Sequence, residues 1–462
     1  MLHQLPLSQL REQYRLGALS PVDVTRSALD HAQQADPALN AFALLDPERA
    51  LMQASQAEAR WRHGTPASAM DGLPIAIKEF AAVQGWPTRR GSAVTPQQPA
   101  LAHTPFVERL VQAGAVLLGK TRAPEFNWKG VTDSPAYGIT RNPWNLALTP
   151  GGSSGGCAAA VAAGIVRLSM GSDAGGSIRI PAAFTGTIGL KPTHGRIPLS
   201  PLPSAFANIV HTGPIAAGMD ELAQAYLNAS GPSPLDWSSQ LGSVASLDRT
   251  PPVTALRIGL LAPQRWRAHC DAAVNAAMDQ VIAALHGAGL PIREVDFDIE
   301  AASAVGQDLY RLGCLAAVRA VDTARHAELD PALLDFVAPA EAWTVSRFHE
   351  VCQRRDLYAN QLAALFEHVD LLLLPTLPLC AFEAGRNLPA GHPGDDWMSW
   401  NPFTPAFNSA QTPALSYPIW PDASPLPAGV QWVAPRHQEA SLFAIGRWLE
   451  ARFPVRIAPP RA

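Results

Sequence analysis

The chain has 462 residues, 47% of them hydrophobic, which suits a globular protein with a large buried core. Its 35 basic and 39 acidic residues leave a formal charge of −4, so no basic field argues for nucleic acid or an acidic membrane as partner. Five cysteines (157, 270, 314, 352 and 380) form no C-x-x-C and fit reduced thiols in a cytoplasm, and no metal-binding set such as H-E-x-x-H occurs.

The first seventeen residues hold no apolar signal core, and nowhere do about twenty apolar residues run together, so no membrane span is predicted. Ser20-Pro21 reads as the cap and first residue of a helix reaching about Gln34, and Asp46 to Trp61 as a second helix. After the turn residues Asp71-Gly72 comes a strand, Leu73 to Ile77, ending on Lys78. A lysine closing an apolar strand is usually solvated or salt-bridged, so its position alone gives it no role. Pro105 to Ala113 reads as a helix and Ala115 to Leu118 as a strand. Pro124 to Trp144 is irregular and aromatic, either packing or a pocket wall.

Pro150 to Pro181 is the most informative stretch. Gly151-Gly152 precedes Ser153-Ser154, and Gly175-Gly176 precedes Ser177. Glycine lets a backbone or a ligand come close. Between the loops, Cys157 to Gly164 reads as a helix, with Ser154 placed to cap it, and Val166 to Met170 as a strand. Packing that helix on that strand would bring the two loops together. Hydroxyls and bare N–H groups would then share one place, which acyl transfer requires.

Beyond Pro192 the pattern is less specific. Gly218 to Ala229 reads as a helix and residues 230–253 as a Pro/Ser-rich surface excursion. Leu256 to Leu261, Asp271 to Gly287 and Ile292 to Phe297 make a strand–helix–strand order suited to a parallel crossover. Helical patterns over about 303–325 and 343–368 precede a buried strand, Leu371 to Leu374, closed by Pro375. Residues 383–402 read as a loop whose Trp397 and Trp400 either line a substrate funnel or pack. Ala414 to Ile419 and Val430 to Val433 read as the last strands, and His437 to Arg452 as the final helix.

Several chemistries compete for the glycine–serine stretch. A phosphate-binding loop would need a lysine that it lacks, and a plain linker would not enclose an apolar helix and strand. Gly151 to Gly155 formally matches G-x-S-x-G, the nucleophile elbow of α/β-hydrolase esterases, for which His437 or His392 would be the base. That elbow follows a buried strand, whereas residues 141–150 are prolyl and polar.

GGSSGG at 151–156 and GSDAGGSIRIP at 171–181 resemble the amidase signature family, the Ser–cisSer–Lys amidohydrolases. The two serines stand 177 − 153 = 24 residues apart, as in that family, and Gly72 to Glu79 supplies its lysine pattern. Further matches are Gly119-Lys120-Thr121 followed by Pro124-Glu125-Phe126, Gly189 to Thr193, His211 to Ile215, Phe403 to Pro413 and Leu426 to Gln431. Glu79, Ala174 and Cys157 depart from the commoner residues, but none removes a proposed catalytic side chain.

The resemblance implies an α/β fold, a large mixed β-sheet core flanked by α-helices on both faces. One domain would cover 1–462, with a signature core at about 70–215 and cap or funnel segments at about 230–402. It implies Ser177 as nucleophile, Ser153 as proton bridge after a cis Gly152–Ser153 bond, and Lys78 as base. The backbone N–H groups of Ala174, Gly175, Gly176 and Ser177 would form the oxyanion hole, with Asn127 (through its backbone) and Ser153 at the substrate. A lysine is a base only when neutral, so burial would have to lower its pKa by roughly 3 units, with Glu79 turned away. Asp173 and Arg179 read as a structural pair. The expected partner is a small-molecule amide, with no metal, organic cofactor, nucleic acid or membrane. A homodimer, a glutaminase role in a tRNA-dependent amidotransferase and an accessory subunit stay open, and the acyl group is not legible.

Overall fold

Short apolar runs in which alternate residues face opposite sides give the chain its strands. In a computed structural model that describes residues 1–201, 204–239, 246–422 and 424–458, these are β1 (Phe42–Leu45), β2 (Pro74–Lys78), β3 (Val116–Thr121), β4 (Asp133–Ser134), β5 (Gly138–Ile139), β6 (Leu168–Asp173), β7 (Ile188–Lys191), β8 (His211–Ala216), β9 (Ile258–Leu261), β10 (Ile292–Val295), β11 (Leu371–Pro375), β12 (Ala414–Ile419) and β13 (Ala428–Val433). Strands β4 and β5 pair with each other. The other eleven form one sheet in the order β1-β3-β2-β6-β8-β7-β12-β13-β11-β9-β10. The sheet is mixed: β3, β2 and β6 run parallel, the centre from β6 to β11 is antiparallel, and β11, β9 and β10 are again parallel. The parallel β9/β10 pair joined by the helix Ala272–Gly287 is the expected crossover.

Alternation decides what each face buries. Ile75, Ile77 and Leu117 pack on one side with Phe106 and Leu110 of the helix Pro105–Gln112. Ala76, Val116 and Leu118 pack on the other with Ala28 and Ala32 of the helix Pro21–Leu39 and the alanines of the helix Gly155–Ala162. Small residues on that second face let the short alanine-rich helix lie close to the sheet, which sets the loop ahead of it beside the ends of β2 and β6.

Several boundaries differ from the sequence reading. The first long helix runs on to Leu39 and stops at Asn40, in the left-handed region at φ 55°; Ser20 caps its start by accepting from Val22 N–H at 2.9 Å. Strand β6 extends through Asp173, because Gly171, Ser172 and Asp173 pair with Gly213, Thr212 and His211 of β8. Trp397 and Trp400 are 1% and 0% exposed and pack with Phe336, Phe382 and the helix Ile299–Arg319, so they are core residues and not a funnel wall. Part of the 230–253 excursion, residues 240–245, lies outside the described residues. Among the described residues no helix is long and apolar enough to cross a membrane.

Candidate active site

Lys78 ends β2 on the same side as Ala76, facing the alanine-rich helix, and its side chain is fully buried. Its Nζ lies 2.8 Å from Ser153 Oγ and 3.0 Å from Ser172 Oγ. Ile77 pairs with Met170 on parallel β6, so Lys78 stands opposite Gly171 with Ser172 one residue further along, and the lysine side chain reaches its hydroxyl. Burial drives the Lys78 pKa down to about 7, with Cys157 and Asp173 opposing it only in part. Glu79, one residue on, turns the other way. Its carboxylate accepts from Tyr137 OH at 2.6 Å and from Gly91 N–H at 3.1 Å, which keeps it off the amine.

Ser153 is held by the loop that enters the helix Gly155–Ala162, after a cis Gly152–Ser153 bond. A Cβ on Gly152 would come within 2.5 Å of the Val131 carbonyl oxygen, so the loop can lie this close only with glycine there. Thr132 Oγ1 ties the loop down, donating to Gly151 C=O at 2.8 Å and accepting from Gly155 N–H at 3.1 Å. The expected cap by Ser154 is not formed. Its hydroxyl donates instead to Ser172 C=O at 3.2 Å on β6, and its N–H donates to Ser177 C=O at 3.1 Å, which joins the two loops directly.

Ser177 follows β6 in a turn built around Asp173. That carboxylate accepts from Gly176 N–H (2.8 Å), Ile178 N–H (3.1 Å), Arg179 Nε and Nη2 (3.0 and 2.9 Å) and Asn408 Nδ2 (2.9 Å). Burial would raise the Asp173 pKa, but Arg179 outweighs it and holds the carboxyl well below its ordinary range. Arg179 also donates to Gln431 Oε1 (2.7 Å), Asn408 Oδ1 (2.6 Å) and Thr404 C=O (2.9 Å), so the expected structural pair is the centre of a larger network. Asp173 corrects one expectation. The Gly176 N–H is committed to its carboxylate, which removes it from the oxyanion donors and leaves the N–H groups of Ala174, Gly175 and Ser177 without a partner among the described residues.

Ser153, Ser172, Ala174, Ser177 and Asn127 open on one cavity of about 480 Å³. The hydrogen bonds from Lys78 reach Ser153 and go no further: no bond joins the hydroxyls of Ser153 and Ser177 among the described residues. Asn127 lines the cavity, but both its backbone groups are engaged. Its N–H donates to Pro124 C=O at 2.9 Å and its C=O accepts from Tyr310 OH at 2.5 Å. Its side-chain Oδ1 is the buried atom left unpartnered.

No histidine is among the described residues that line the cavity. His392 Nε2 contacts Ser399 Oγ at 2.9 Å and His437 Nδ1 lies 3.2 Å from Arg196, so neither is a base for Ser153 or Ser177. Residues 141–150 form turns and not a strand, so the nucleophile-elbow alternative fails on both its requirements. Among the described residues no three His, Cys, Asp or Glu side chains cluster so as to hold a metal ion. Sequence reasoning missed Ser172, Asn408 and Tyr310. Strand alternation from Met170 would turn Ser172 away from Lys78, so it gave no sign; Tyr310 and Asn408 arrive from more than 130 residues away, Asn408 within the matching segment Phe403 to Pro413 but with nothing local to show its role.

The sequence matches the family described as Amidase over residues 23–443. A glutamyl-tRNA(Gln) amidotransferase subunit from Synechococcus sp. (strain CC9605) is 32% identical over 485 residues, covering 99% of this chain and 98% of that protein. A solved structure from work on a vestigial protein complex and the evolutionary origins of an s-triazine catabolic enzyme superposes with TM-score 0.91 at 30% identity, covering 99% of this chain and all of that one. A bacterial aryl acylamidase structure superposes with TM-score 0.85 at 27% identity, over 97% of this chain and 96% of that one.

Proposed function

The chain belongs to the amidase family and is an enzyme of amide C–N bonds; from that premise we propose that it hydrolyses a small carboxamide through an acyl-enzyme on Ser177. The observation that carries this reading is Lys78, a buried amine whose pKa falls to about 7, bonded to Ser153 at the floor of the cavity that Ser177 also lines. Neutral Lys78 takes a proton through Ser153 as Ser177 Oγ attacks the carbonyl carbon. The same path returns that proton to the departing nitrogen, and water then releases the acid. The relay requires the Ser177 hydroxyl to come within bonding distance of Ser153 Oγ when substrate is in place, as catalytic hydrogen bonds commonly tighten on binding. The N–H groups of Ala174, Gly175 and Ser177 face the developing oxyanion.

Ammonia release from a panel of small carboxamides tests the mechanism. Lys78→Ala should lower kcat/KM by at least about 10³-fold, while His437→Ala leaves it unchanged. Activity that survives Lys78→Ala discards the proposal.

The 32% identity to an amidotransferase component supports a second reading, in which the chain frees ammonia from glutamine for a partner protein. Tagged protein purified from its own cells distinguishes the two. A stoichiometric second chain, with activity on glutamine, favours the amidotransferase role, and an active single chain favours the amidase.

A further inference from the structure

The cavity carries a charge that the chemistry above does not use. Arg90 lies in the loop between β2 and the helix Pro105–Gln112, with a left-handed backbone at φ 53° and its carbonyl accepting from Phe126 N–H at 2.8 Å. It is the one charged side chain among the described residues lining the cavity. No carboxylate pairs with it and no hydrogen-bond acceptor meets its guanidinium among the described residues; it rests over the Phe126 ring, 5.4 Å from the centroid. Its neighbours differ: Glu79 is saturated by Tyr137 and Gly91, and Glu125 accepts from Ser92 Oγ and from Asp330 N–H. Burial lowers the Arg90 pKa, yet a guanidinium stays protonated. A half-buried cation with no counter-charge is costly unless a ligand supplies one. Nearby, the unpartnered Asn127 Oδ1 offers an acceptor for an N–H. No Asp or Glu is among the described lining residues, so nothing there would compensate an ammonium.

We propose that the amide hydrolysed in this cavity bears a carboxylate, seated on the Arg90 guanidinium, and no ammonium beside it. The inference rests on the amide-cleaving reading and narrows it to anionic amides such as half-amides of dicarboxylic acids. Glutamine, whose α-ammonium would find no partner, is a poor fit. Planar guanidinium and carboxylate can pair through two parallel hydrogen bonds, which lysine cannot reproduce.

The test compares matched pairs, succinamate against succinamide and glutaramate against glutaramide, with glutamine alongside. Wild type should favour the anionic member of each pair by more than about tenfold in kcat/KM, and glutaramate over glutamine by a similar factor. Arg90→Met should collapse the anionic-to-neutral ratio towards one, and Arg90→Lys should restore part of it. Because the readout is a ratio, a general loss of activity cancels. A wild-type ratio near one, or a ratio that Arg90→Met leaves intact, overturns the proposal. If no amide in the panel is turned over, the amide-cleaving reading fails by itself. Arg90 is then judged by calorimetric titration of Ser177→Ala with succinate: heat lost on adding Arg90→Met supports the site, and no succinate binding overturns it.

Discussion

Two adjacent residues at the end of β6 send their side chains into polar clusters of opposite character. Ser172 meets Lys78, which also bonds Ser153, in a cluster of one amine and hydroxyls that opens on the cavity. Asp173 meets Arg179, Asn408 and the Gly176 N–H in a cluster fully closed from solvent, where every charge has an opposite or a dipole. Both are buried, but burial acts differently on them. The first compensates the amine only in part and pushes its pKa down, which suits it to the base that the proposed mechanism needs. The second compensates the carboxylate so well that it stays ionised, which makes a frame. Lys191, at the end of β7, sharpens the contrast. It too is fully buried and its pKa lies well below the usual value through burial and Arg179, yet it donates to the Thr412 carbonyl and lines no part of the cavity. On the proposed mechanism, a depressed lysine serves catalysis only where a substrate can reach its partners.

The contrast can be broken by changing one cluster at a time. The largest effect belongs to Lys78→Met, which should cost about 10⁴-fold in kcat/KM while leaving the denaturation midpoint as high as in wild type, since it deletes a buried amine. Asp173→Asn should do the reverse, costing about 3–5 kcal/mol of stability by leaving Arg179 buried without its counter-ion, as read from urea unfolding. If both variants lose stability equally, the two clusters are not distinct. Ser172→Ala should lower kcat/KM by about tenfold and move the acidic limb of its pH profile below that of wild type, because the hydroxyl oxygen stabilises the ammonium form. A limb that moves upward contradicts that role.

The smallest effect is on stability against pH. Between about 7, the folded value of Lys78, and the ordinary lysine range near 10, the unfolded chain binds the extra proton, so stability rises with pH across this window. Lys78→Met should flatten part of that rise; Lys120 and Lys191 contribute equally to both proteins and drop out of the difference. Asp173 acts at the other end. Its carboxyl is depressed in the fold, so its contribution is present above the ordinary carboxylate range and is lost as pH falls through its folded value. Unfolding curves at pH 2, 4, 7 and 9 for wild type, Lys78→Met and Asp173→Asn separate the two terms.

What the sequence made legible was local. The glycine–serine loops, the strand ending on Lys78 and the Asp173–Arg179 spacing all lie within short segments with their own pattern. The eleven-stranded sheet could be expected only as a class, because β2 and β6 are neighbours across ninety residues and nothing in either run states the pairing. Ser172 was hidden twice over: the strand end was placed three residues early, and alternation from Met170 sets Ser172 on the face opposite Ala76 and Lys78, so only the folded strand end shows the lysine reaching it. The Gly176 N–H looked like an oxyanion donor because a glycine pair before a serine suggests free amides, and only the folded turn shows Asp173 claiming one of them. Arg90 sits in a loop with no period, so no sequence pattern marks it as facing the cavity.

The central claim, a neutral buried amine activating Ser177, is tested most directly by the rate at which a fluorophosphonate labels that serine between pH 5 and 10, since this needs no knowledge of the substrate. Wild type should follow a single rise with its midpoint at about 7 and then level off, and Lys78→Ala should label at least about 10³-fold more slowly at every pH. A rate still climbing towards pH 10, as an ordinary lysine would give, or labelling indifferent to Lys78, would contradict the account.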